Sequence, residues 1–369
     1  MNDFDVIVVG AGIAGASVAA ELGAHCKVLL LEAESTPGFH ATGRSAAFWS
    51  ECYGGAGVQS LTRASGEMLA NPPPDFADRP FVTPRGALHI EVPGSMDLTA
   101  AMLSEFADSR ANICRVGAEA IRKLVPEIKP EWSAGVWEPD CSDIDVAALH
   151  SAYLRKARLH NVRVQCNARV TGATLRSGKW NVAMTNGDFT GALLVNAAGA
   201  WADDLAEMAN VKKANITPLR RSIVQVDVGP GVDPAMPLVI GLDGSFYFKA
   251  NRYGSIWLSP HDETPAVPGD AAPEELDIAM AIDRFEQATN WRVEKIQHKW
   301  AGLRSFASDR LPIIGRDADC SEFFWLAGQG GFGIQTAPAV AQLAAEQILG
   351  TKHQMAGVNA DNYSPARLR

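Results

Sequence analysis

The sequence has little of what marks membrane, secreted or nucleic-acid-binding proteins. No run of about 18 apolar residues occurs, so no transmembrane helix is expected. The formal net charge of -9 argues against a nucleic-acid partner, because phosphate binding needs a clustered basic surface. The six cysteines include no Cys-x-x-Cys pair. They therefore predict reduced thiols that mostly pack in the interior, rather than a disulfide framework.

Two further features are missing from the chain. The first strand is expected to begin at Asp5, which leaves no room for a secretory signal, so a cytoplasmic location is expected. No pair of histidines has metal-ligand spacing, and no metal site is expected. The 369 residues are enough for two domains, each with a sizeable core.

A strand–turn–helix–strand unit opens the chain. Residues 5–9 and 27–31 are apolar runs typical of buried parallel strands, and a G-x-G-x-x-G pattern starts between them at Gly10. Gly10 permits a tight turn, Gly12 lets the backbone approach a pyrophosphate, and Gly15 lets the helix pack against the strands. The helix N-terminus then offers free N–H groups to the phosphates. The unit predicts a dinucleotide site.

Glu32 stands at the end of the second strand, where a carboxylate accepts hydrogen bonds from ribose hydroxyls. The opening unit alone leaves NAD and FAD both open. Three later segments favour FAD. Residues 37–47 are interpreted as a small-residue loop running into a helix, which would add a second clamp on a long cofactor. Residues 193–202 predict a strand that breaks at Gly199, and the glycine-rich loop 326–336 leads into a helix over 337–349.

Several ordered motifs together resemble one group of flavoenzymes, the D-amino acid oxidases and glycine/sarcosine oxidases. The motifs beyond the opening unit are His40–Ala47, Pro218–Arg221, Phe246–Lys249, Ala301–Arg304, Asp309–Gly315 and Gly328–Thr336. Within that group the bacterial D-arginine dehydrogenases are most similar.

The resemblance implies an α/β plus α+β fold with non-covalent FAD. A Rossmann-like, discontinuous FAD-binding domain is expected over residues 1–82, 145–215 and 306–369. A substrate domain on a mostly antiparallel sheet is expected over 83–144 and 216–305. The residues expected to bind the cofactor are Gly10, Gly12, Ile13, Ala14, Gly15, Glu32, Ala33, Thr42, Gly43, Arg44, Ser45, Ala46, Ala47, Val170, Ala198, Gly199, Gly330, Gly331, Gly333, Ile334 and Gln335.

The resemblance also implies five residues at the substrate. Arg304 and Arg221 match arginines that face the substrate carboxylate, for which a planar guanidinium fork is suited. Arg221 is chosen over its neighbour because adjacent strand residues point to opposite faces. Tyr53 and Tyr247 match pocket tyrosines, and the main-chain carbonyl of Gly302 matches the group that receives the substrate ammonium.

Two departures from the D-arginine dehydrogenases change the expected substrate. Ala87 stands where those enzymes have a glutamate that pairs with the cationic side chain, and Phe48 stands where they have a histidine near the flavin. Loss of that carboxylate removes the partner that offsets desolvation of a guanidinium. We therefore expect a neutral or apolar substrate side chain. The expected wall residues are Phe48, Trp49, Phe246 and Phe332.

The sequence thus predicts an FAD-dependent oxidoreductase that oxidises a small D-amino acid by hydride transfer from Cα, without a side-chain base. Its electron acceptor, whether dioxygen, a quinone or an electron-transfer protein, stays open. Alternative interpretations are oxidation of an N-substituted amino acid or a 2-hydroxy acid, an NAD-dependent reductase, and a non-catalytic flavoprotein.

Overall fold

A computed structural model describes residues 3–251, 253–352 and 355–369. The strands of these residues, in chain order, are β1 (Asp3–Val9), β2 (Val28–Leu31), β3 (Phe48–Trp49), β4 (Val82–Pro84), β5 (Ala87–Ile90), β6 (Cys114–Gly117), β7 (Ala134–Glu138), β8 (Ser142–Ile144), β9 (Arg163–Gln165), β10 (Val170–Arg176), β11 (Lys179–Met184), β12 (Gly187–Asn196), β13 (Thr217–Asp227), β14 (Leu238–Gly241), β15 (Tyr247–Ala250), β16 (Ile256–Ser259), β17 (Thr264–Pro265), β18 (Lys295–Phe306), β19 (Ile313–Arg316), β20 (Phe323–Ala327) and β21 (Gln329–Gly330).

The α-helices of the same residues are α1 (Ile13–Leu22), α2 (Ala56–Ala70), α3 (Leu98–Glu105), α4 (Ala118–Leu124), α5 (Val146–Leu159), α6 (Ala202–Met208), α7 (Glu275–Ala288) and α8 (Ala337–Leu349). Short 3-10 turns lie at Gly199–Trp201, Ala360–Tyr363 and Pro365–Leu368. No described helix combines the length and the apolar character that crossing a bilayer requires.

The first sheet carries the opening unit. Its order is β10-β11-β12-β1-β2-β9, with β20 also paired to β12 and β19 to β20. β1 is parallel to both β2 and β12, and β2 is buried along its whole length, as its uninterrupted apolar sequence predicts. Helices α1, α5 and α8 pack over this region in one apolar core. The predicted Rossmann-like layer is confirmed.

The second sheet is mostly antiparallel, in the order β21-β18-β13-β16-β15-β14-β5-β7-β6 with β17 on β13. Helix α7 covers one face, where Phe285 packs edge-on against Phe248 with ring centroids 5.0 Å apart. A small third sheet, β3-β8-β4, lies beside the two larger ones. The fold class predicted from the sequence is therefore confirmed.

The two large sheets draw on interleaved parts of the chain. Strands of the first lie within residues 3–31, 163–196 and 313–327, and those of the second lie within 87–138 and 217–306, with β21 in addition. β21 joins the second sheet, although it falls in a segment that the sequence assigned to the cofactor domain. The domain boundaries themselves stay a prediction.

The segment after Pro37 departs from its expected course. The chain forms consecutive turns over 37–44 and then the short strand β3, in which Phe48 pairs with Asp143. The predicted helix at this point is wrong. The next helix starts only at Ala56, after Gly54 and Gly55 adopt φ values of 105° and 74° that interrupt a right-handed helix. The helix over 337–349, in contrast, is present as predicted.

Candidate active site

The glycine turn between β1 and α1 forms one wall of a large cavity. Gly10 has φ 102°, and a Cβ there would lie 2.4 Å from the carbonyl oxygen of Ala197. A Cβ on Gly15 would lie 1.8 Å from the carbonyl oxygen of Gly10, so the turn and the helix meet without room for side chains. His150, which the sequence did not single out, supports the turn from behind: its Nε2 donates to the Ala11 carbonyl at 2.9 Å.

Glu32 is buried at the end of β2 and lines the cavity. The backbone N–H of Ala11 donates to its Oε2 at 3.0 Å, and that of Glu34 donates to Oε1 at 3.0 Å. Each carboxylate oxygen keeps a second lone pair. The predicted contact with a ribose hydroxyl is therefore compatible with a carboxylate already fixed by the backbone.

Residues of the 37–47 loop line the cavity, although this loop forms no helix. Thr42 Oγ1 accepts from the N–H of Ile13 at 3.0 Å, which occupies one free donor at the start of α1. The Arg44 guanidinium donates to the carbonyls of Ala271 and Ala301 at 2.9 and 3.1 Å, and it also pairs with Asp270. Arg44 therefore joins the cofactor loop to the second sheet, in addition to lining the cavity.

Most of the residues expected at the cofactor surround this one cavity. The predicted cofactor residues that line it are Gly10, Gly12, Ile13, Ala14, Glu32, Ala33, Thr42, Arg44, Ser45, Val170, Ala198, Gly199, Gly330, Gly331, Gly333 and Ile334. Those that do not are Gly15, Gly43, Ala46, Ala47 and Gln335.

Gln335 is one of the predicted cofactor residues that do not line the cavity. Its Oε1 accepts from the N–H of Ser50 at 3.2 Å, and its Nε2 donates to the Tyr53 carbonyl at 3.0 Å. Gln335 therefore holds the Ser50–Tyr53 backbone, and its contact with the cofactor stays a prediction.

The cavity carries polar atoms that lack a protein partner. Among the described residues, the buried side-chain atoms without a hydrogen bond are Nδ1 of His40 and Nε2 of Gln329, and both residues line the cavity. A buried polar atom left unpaired is costly, so these atoms fit a site completed by a polar ligand. Together with the glycine turn, they fit a long dinucleotide.

Arg304 projects from β18 into the same cavity. It is buried, and no carboxylate among the described residues pairs with it. Burial lowers the pKa of Arg304, and the charge of Arg221 acts in the same direction. A buried guanidinium without a counter-ion is unfavourable until an anion binds, which makes Arg304 an anchor for a carboxylate.

Arg221 lies on the neighbouring strand β13, and its surroundings differ. Its Nη2 is 3.2 Å from Oε1 of Glu263, its Nε donates to the Asp262 carbonyl at 2.9 Å, and its Nη1 is 3.4 Å from the Tyr53 hydroxyl. Arg220 points to the opposite face, where Nε donates to Asp277 at 3.1 Å. The strand alternation that favoured Arg221 is therefore present.

Gly302 and the two predicted tyrosines lie around the arginines. Gly302 is the register partner of Arg221 and lines the cavity. The ring of Tyr53 lies 4.9 Å from Phe48 and 5.4 Å from Phe332, and the ring of Tyr247 lies 6.3 Å from Phe48. None of Tyr53, Arg221 and Tyr247 lines the cavity itself. They lie next to its wall: a Cβ built on the cavity residue Gly331 would be 2.8 Å from the Tyr53 hydroxyl.

An apolar patch continues from these rings. Ala87 is fully buried in one cluster with Phe48, Ile240 and Tyr247. Two of the expected wall residues lie elsewhere. Phe246 packs against Trp132 and Phe248 on the opposite face of β15, as strand alternation requires.

Trp49 is the second expected wall residue that lies away from the apolar patch. It follows Phe48 in β3 and packs in the core beneath the first sheet, where its Nε1 donates to the Thr62 carbonyl at 2.9 Å.

His261 lies beside the two predicted tyrosines, although the sequence raised this histidine only in the question of metal binding and gave it no role at the substrate. It follows β16, and its ring centroid lies 6.2 Å from that of Tyr53 and 5.7 Å from that of Tyr247. A lone histidine in a polar loop carries no periodic signal, so only the fold brings it here. No group of three or more His, Cys, Asp or Glu side chains within the described part of the chain is arranged to hold a metal ion.

A family model described as "FAD dependent oxidoreductase" matches residues 5–347. Among curated relatives, the bifunctional protein ThiO/ThiG of Synechocystis sp. is 25% identical over 66% of this chain and 36% of its own length. Mitochondrial dimethylglycine dehydrogenase of Mus musculus is 26% identical over 63% of this chain and 29% of its own. The chain thus spans about a third of the length of these relatives.

Two solved structures superimpose on almost the whole chain. L-proline dehydrogenase from P. horikoshii superimposes with a TM-score of 0.86 at 22% identity, covering 99% of this chain and 98% of the other. Glycine oxidase from Geobacillus kaustophilus gives a TM-score of 0.84 at 18% identity, covering 100% and 99%. At these identities the likeness concerns the fold.

Proposed function

Because this chain belongs to the family of FAD-dependent oxidoreductases and its cofactor is FAD, we propose that it oxidises a small D-amino acid with a neutral or apolar side chain. The single observation that carries this proposal is the unpaired, buried Arg304, which lies close enough to Tyr247 of the apolar patch with Ala87 for each group to affect the pKa of the other. The guanidinium fits a carboxylate, and the patch fits an uncharged side chain.

In this proposal, different residues of the site bind different groups of the substrate. Arg304 holds the carboxylate through its planar fork, and the Tyr53 hydroxyl, fixed by Arg221 at 3.4 Å, stands beside it. The Gly302 carbonyl receives the amino group. The apolar patch orients the side chain, so that Cα–H is directed at the cofactor side of the cavity.

FAD, when bound, is the two-electron oxidant that accepts a hydride from Cα. The glycine turn at Gly10 and the start of α1 hold its phosphates, and Glu32 holds a ribose hydroxyl. The N-terminus of α8 follows the cavity residue Ile334 and favours negative charge on that side of the site.

No side-chain base is required for this reaction. The substrate ammonium would lose its proton to water before or during binding. Loss of a hydride from Cα would then give a protonated imino acid, which water hydrolyses to a 2-oxo acid and ammonium. A second candidate, oxidation of an N-substituted amino acid, is favoured by the similarity to dimethylglycine dehydrogenase, although the chain spans only 29% of that protein.

An anaerobic flavin-reduction screen tests the proposal. Purified holoenzyme is mixed with D- and L-amino acids, N-alkyl amino acids and 2-hydroxy acids, and bleaching of the flavin is followed. The expected result is fastest bleaching by apolar D-amino acids. Preference for D-arginine, for L-amino acids or for hydroxy acids contradicts the proposed substrate, and the Arg304→Met variant should retain flavin but bleach slowly.

A further inference from the structure

His261 lies in a strained segment that the rest of the site does not explain. Its φ of 54° is in the left-handed region, which non-glycine residues seldom adopt. Several contacts hold this segment in place: Arg284 Nη1 donates to the Pro260 carbonyl at 2.7 Å, and Arg221 Nε donates to the Asp262 carbonyl at 2.9 Å. A strained residue that its surroundings over-determine is a candidate for function.

The hydrogen bond of the His261 ring fixes its tautomer. Nδ1 lies 2.6 Å from the Gly244 carbonyl oxygen, which only accepts, so Nδ1 carries the proton and Nε2 carries a lone pair. No group of the described chain donates to Nε2. Burial lowers the pKa of His261 to about 4, assisted by the charge of Arg221, so the ring is neutral at neutral pH.

The rings of Tyr53 and Tyr247 contact His261 and also contact Phe48. His261 contacts the rings of Tyr53 and Tyr247 but, among the described residues, makes no ring contact with Phe48. Phe48 contacts the same two tyrosines from the side that holds Ala87. His261 therefore lies on the side of the tyrosines away from the apolar patch, where the charges of both Arg221 and Arg304 act on it. The carboxylate and the amino group of an amino acid are expected on this side, where Nε2 offers its lone pair.

We propose that His261 contacts the substrate directly: its Nε2 accepts a hydrogen bond from the substrate amino group and selects primary amines over N,N-dialkylated ones. This inference rests on the proposed function. A carboxylate and an apolar side chain carry no donor, so the amine is the one group that pairs with this acceptor. A neutral primary amine has two N–H bonds, enough for both Nε2 and the Gly302 carbonyl, whereas a neutral N,N-dialkyl amine has none.

The first test measures binding without turnover. Holoenzyme is titrated with 2-aminoisobutyrate, which lacks a Cα–H and is not oxidised, and with isobutyrate, which lacks the amine. Both titrations follow the flavin spectrum. His261→Phe keeps a ring in the wall but removes the acceptor. We expect it to weaken 2-aminoisobutyrate about 10- to 100-fold and to leave isobutyrate unchanged. Equal effects on both ligands, or none, overturn the inference.

The second test compares D-alanine with N,N-dimethyl-D-alanine in kcat/KM. The wild type should prefer D-alanine, and His261→Phe should reduce that preference at least tenfold. His261→Asn is the companion variant, because asparagine tolerates the left-handed region. Its shorter side chain does not reach the position of Nε2, so it should give the same result.

A wild type that prefers the dimethyl compound, or a preference that survives in both variants, overturns the role of His261. Failure of the proposed function looks different: D-arginine, L-amino acids or 2-hydroxy acids then bleach the wild-type flavin faster than D-alanine does, or no amino acid bleaches it.

Discussion

Glu263 lies 3.2 Å from Arg221 and neutralises it in the resting site, whereas Arg304 has no such partner in the described structure. The same carboxylate also holds Arg310, with Oε1 2.6 Å from its Nη2. The two arginines are thus not equivalent. Arg304 carries a positive charge that no carboxylate of the described structure balances, so it is available to bind an anion. The N–H groups of Arg221 already donate to protein acceptors, so Arg221 instead holds neighbouring groups in position.

This asymmetry predicts opposite stability effects for two matched substitutions. Arg304→Met removes a buried, unpaired charge and should leave the midpoint of thermal unfolding unchanged or raise it by a few degrees. Arg221→Met leaves the Asp262 carbonyl without the Arg221 donor and removes one of the two arginines that bind Glu263, so it should lower the free energy of unfolding by about 1–3 kcal/mol. Thermal unfolding of both holoenzymes checks this; a larger loss of stability in Arg304→Met contradicts it.

The same pair should differ in catalysis. Arg304→Met is expected to reduce kcat/KM by about 100-fold or more, because at least two charge-assisted hydrogen bonds to the carboxylate are lost at about 1.5–3 kcal/mol each. Arg221→Met should reduce it less. Steady-state kinetics with the best substrate from the flavin-reduction screen provide the measurement, with flavin content as the control for cofactor retention.

Restoring a carboxylate at Ala87 should shift the substrate preference. Ala87→Glu is expected to raise the ratio of kcat/KM for D-arginine over that for D-valine. The gain should come with lower stability, because Glu138 is the cross-strand partner of Ala87 and like charges directly opposite repel. Ala87→Gln is the uncharged control. If Ala87→Gln changes the ratio as much as Ala87→Glu does, charge is not the cause.

The glycine turn gives a prediction about the cofactor. Gly15→Ala would place a Cβ 1.8 Å from the Gly10 carbonyl and should abolish flavin retention on purification, or prevent folding. Gly172→Ala is the matched control, since a Cβ there meets no heavy atom within 4 Å. Flavin absorbance per protein and the midpoint of unfolding are read together. A Gly15→Ala protein with full flavin content would show that the close packing is dispensable.

The depressed pKa of His261 predicts a pH dependence of stability. Its folded-state pKa is about 4, below the ordinary value of 6.5, so between these values the unfolded chain binds more protons than the native one. The contribution of His261 is therefore complete above about pH 6.5 and is lost as the pH falls towards 4. The unfolding midpoint should fall less from pH 7 to pH 5 in His261→Asn than in the wild type. Parallel curves would contradict this.

The sequence predicted those parts of the site whose conformation depends on residues that are neighbours in the chain. The turn at Gly10 and the helix over 337–349 follow from glycine spacing and helical periodicity, and both are present. The backbone conformation after Pro37 could not be predicted from neighbouring residues in the chain. Whether Phe48 extends a strand depends on pairing with Asp143, nearly a hundred residues away.

The same limit applies to side-chain roles. His261 and Glu263 show no motif, and their positions are set by β13, β16 and the loop between β16 and β17. Arg44 was expected to bind the cofactor, and its guanidinium also donates to the carbonyls of Ala301 on the second sheet and of Ala271 in the loop before α7. Where a side chain has several potential partners, the tertiary structure decides among them.

The cofactor cavity draws on the chain from Val9 to Ile334. During synthesis, β1 lacks its neighbour on one edge until β12 has left the ribosome, and the last wall follows only after residue 334. A nascent chain that has only its first two hundred residues therefore presents the glycine turn without an enclosure. Enclosure of FAD in this cavity therefore requires that the chain has been synthesised at least as far as Ile334.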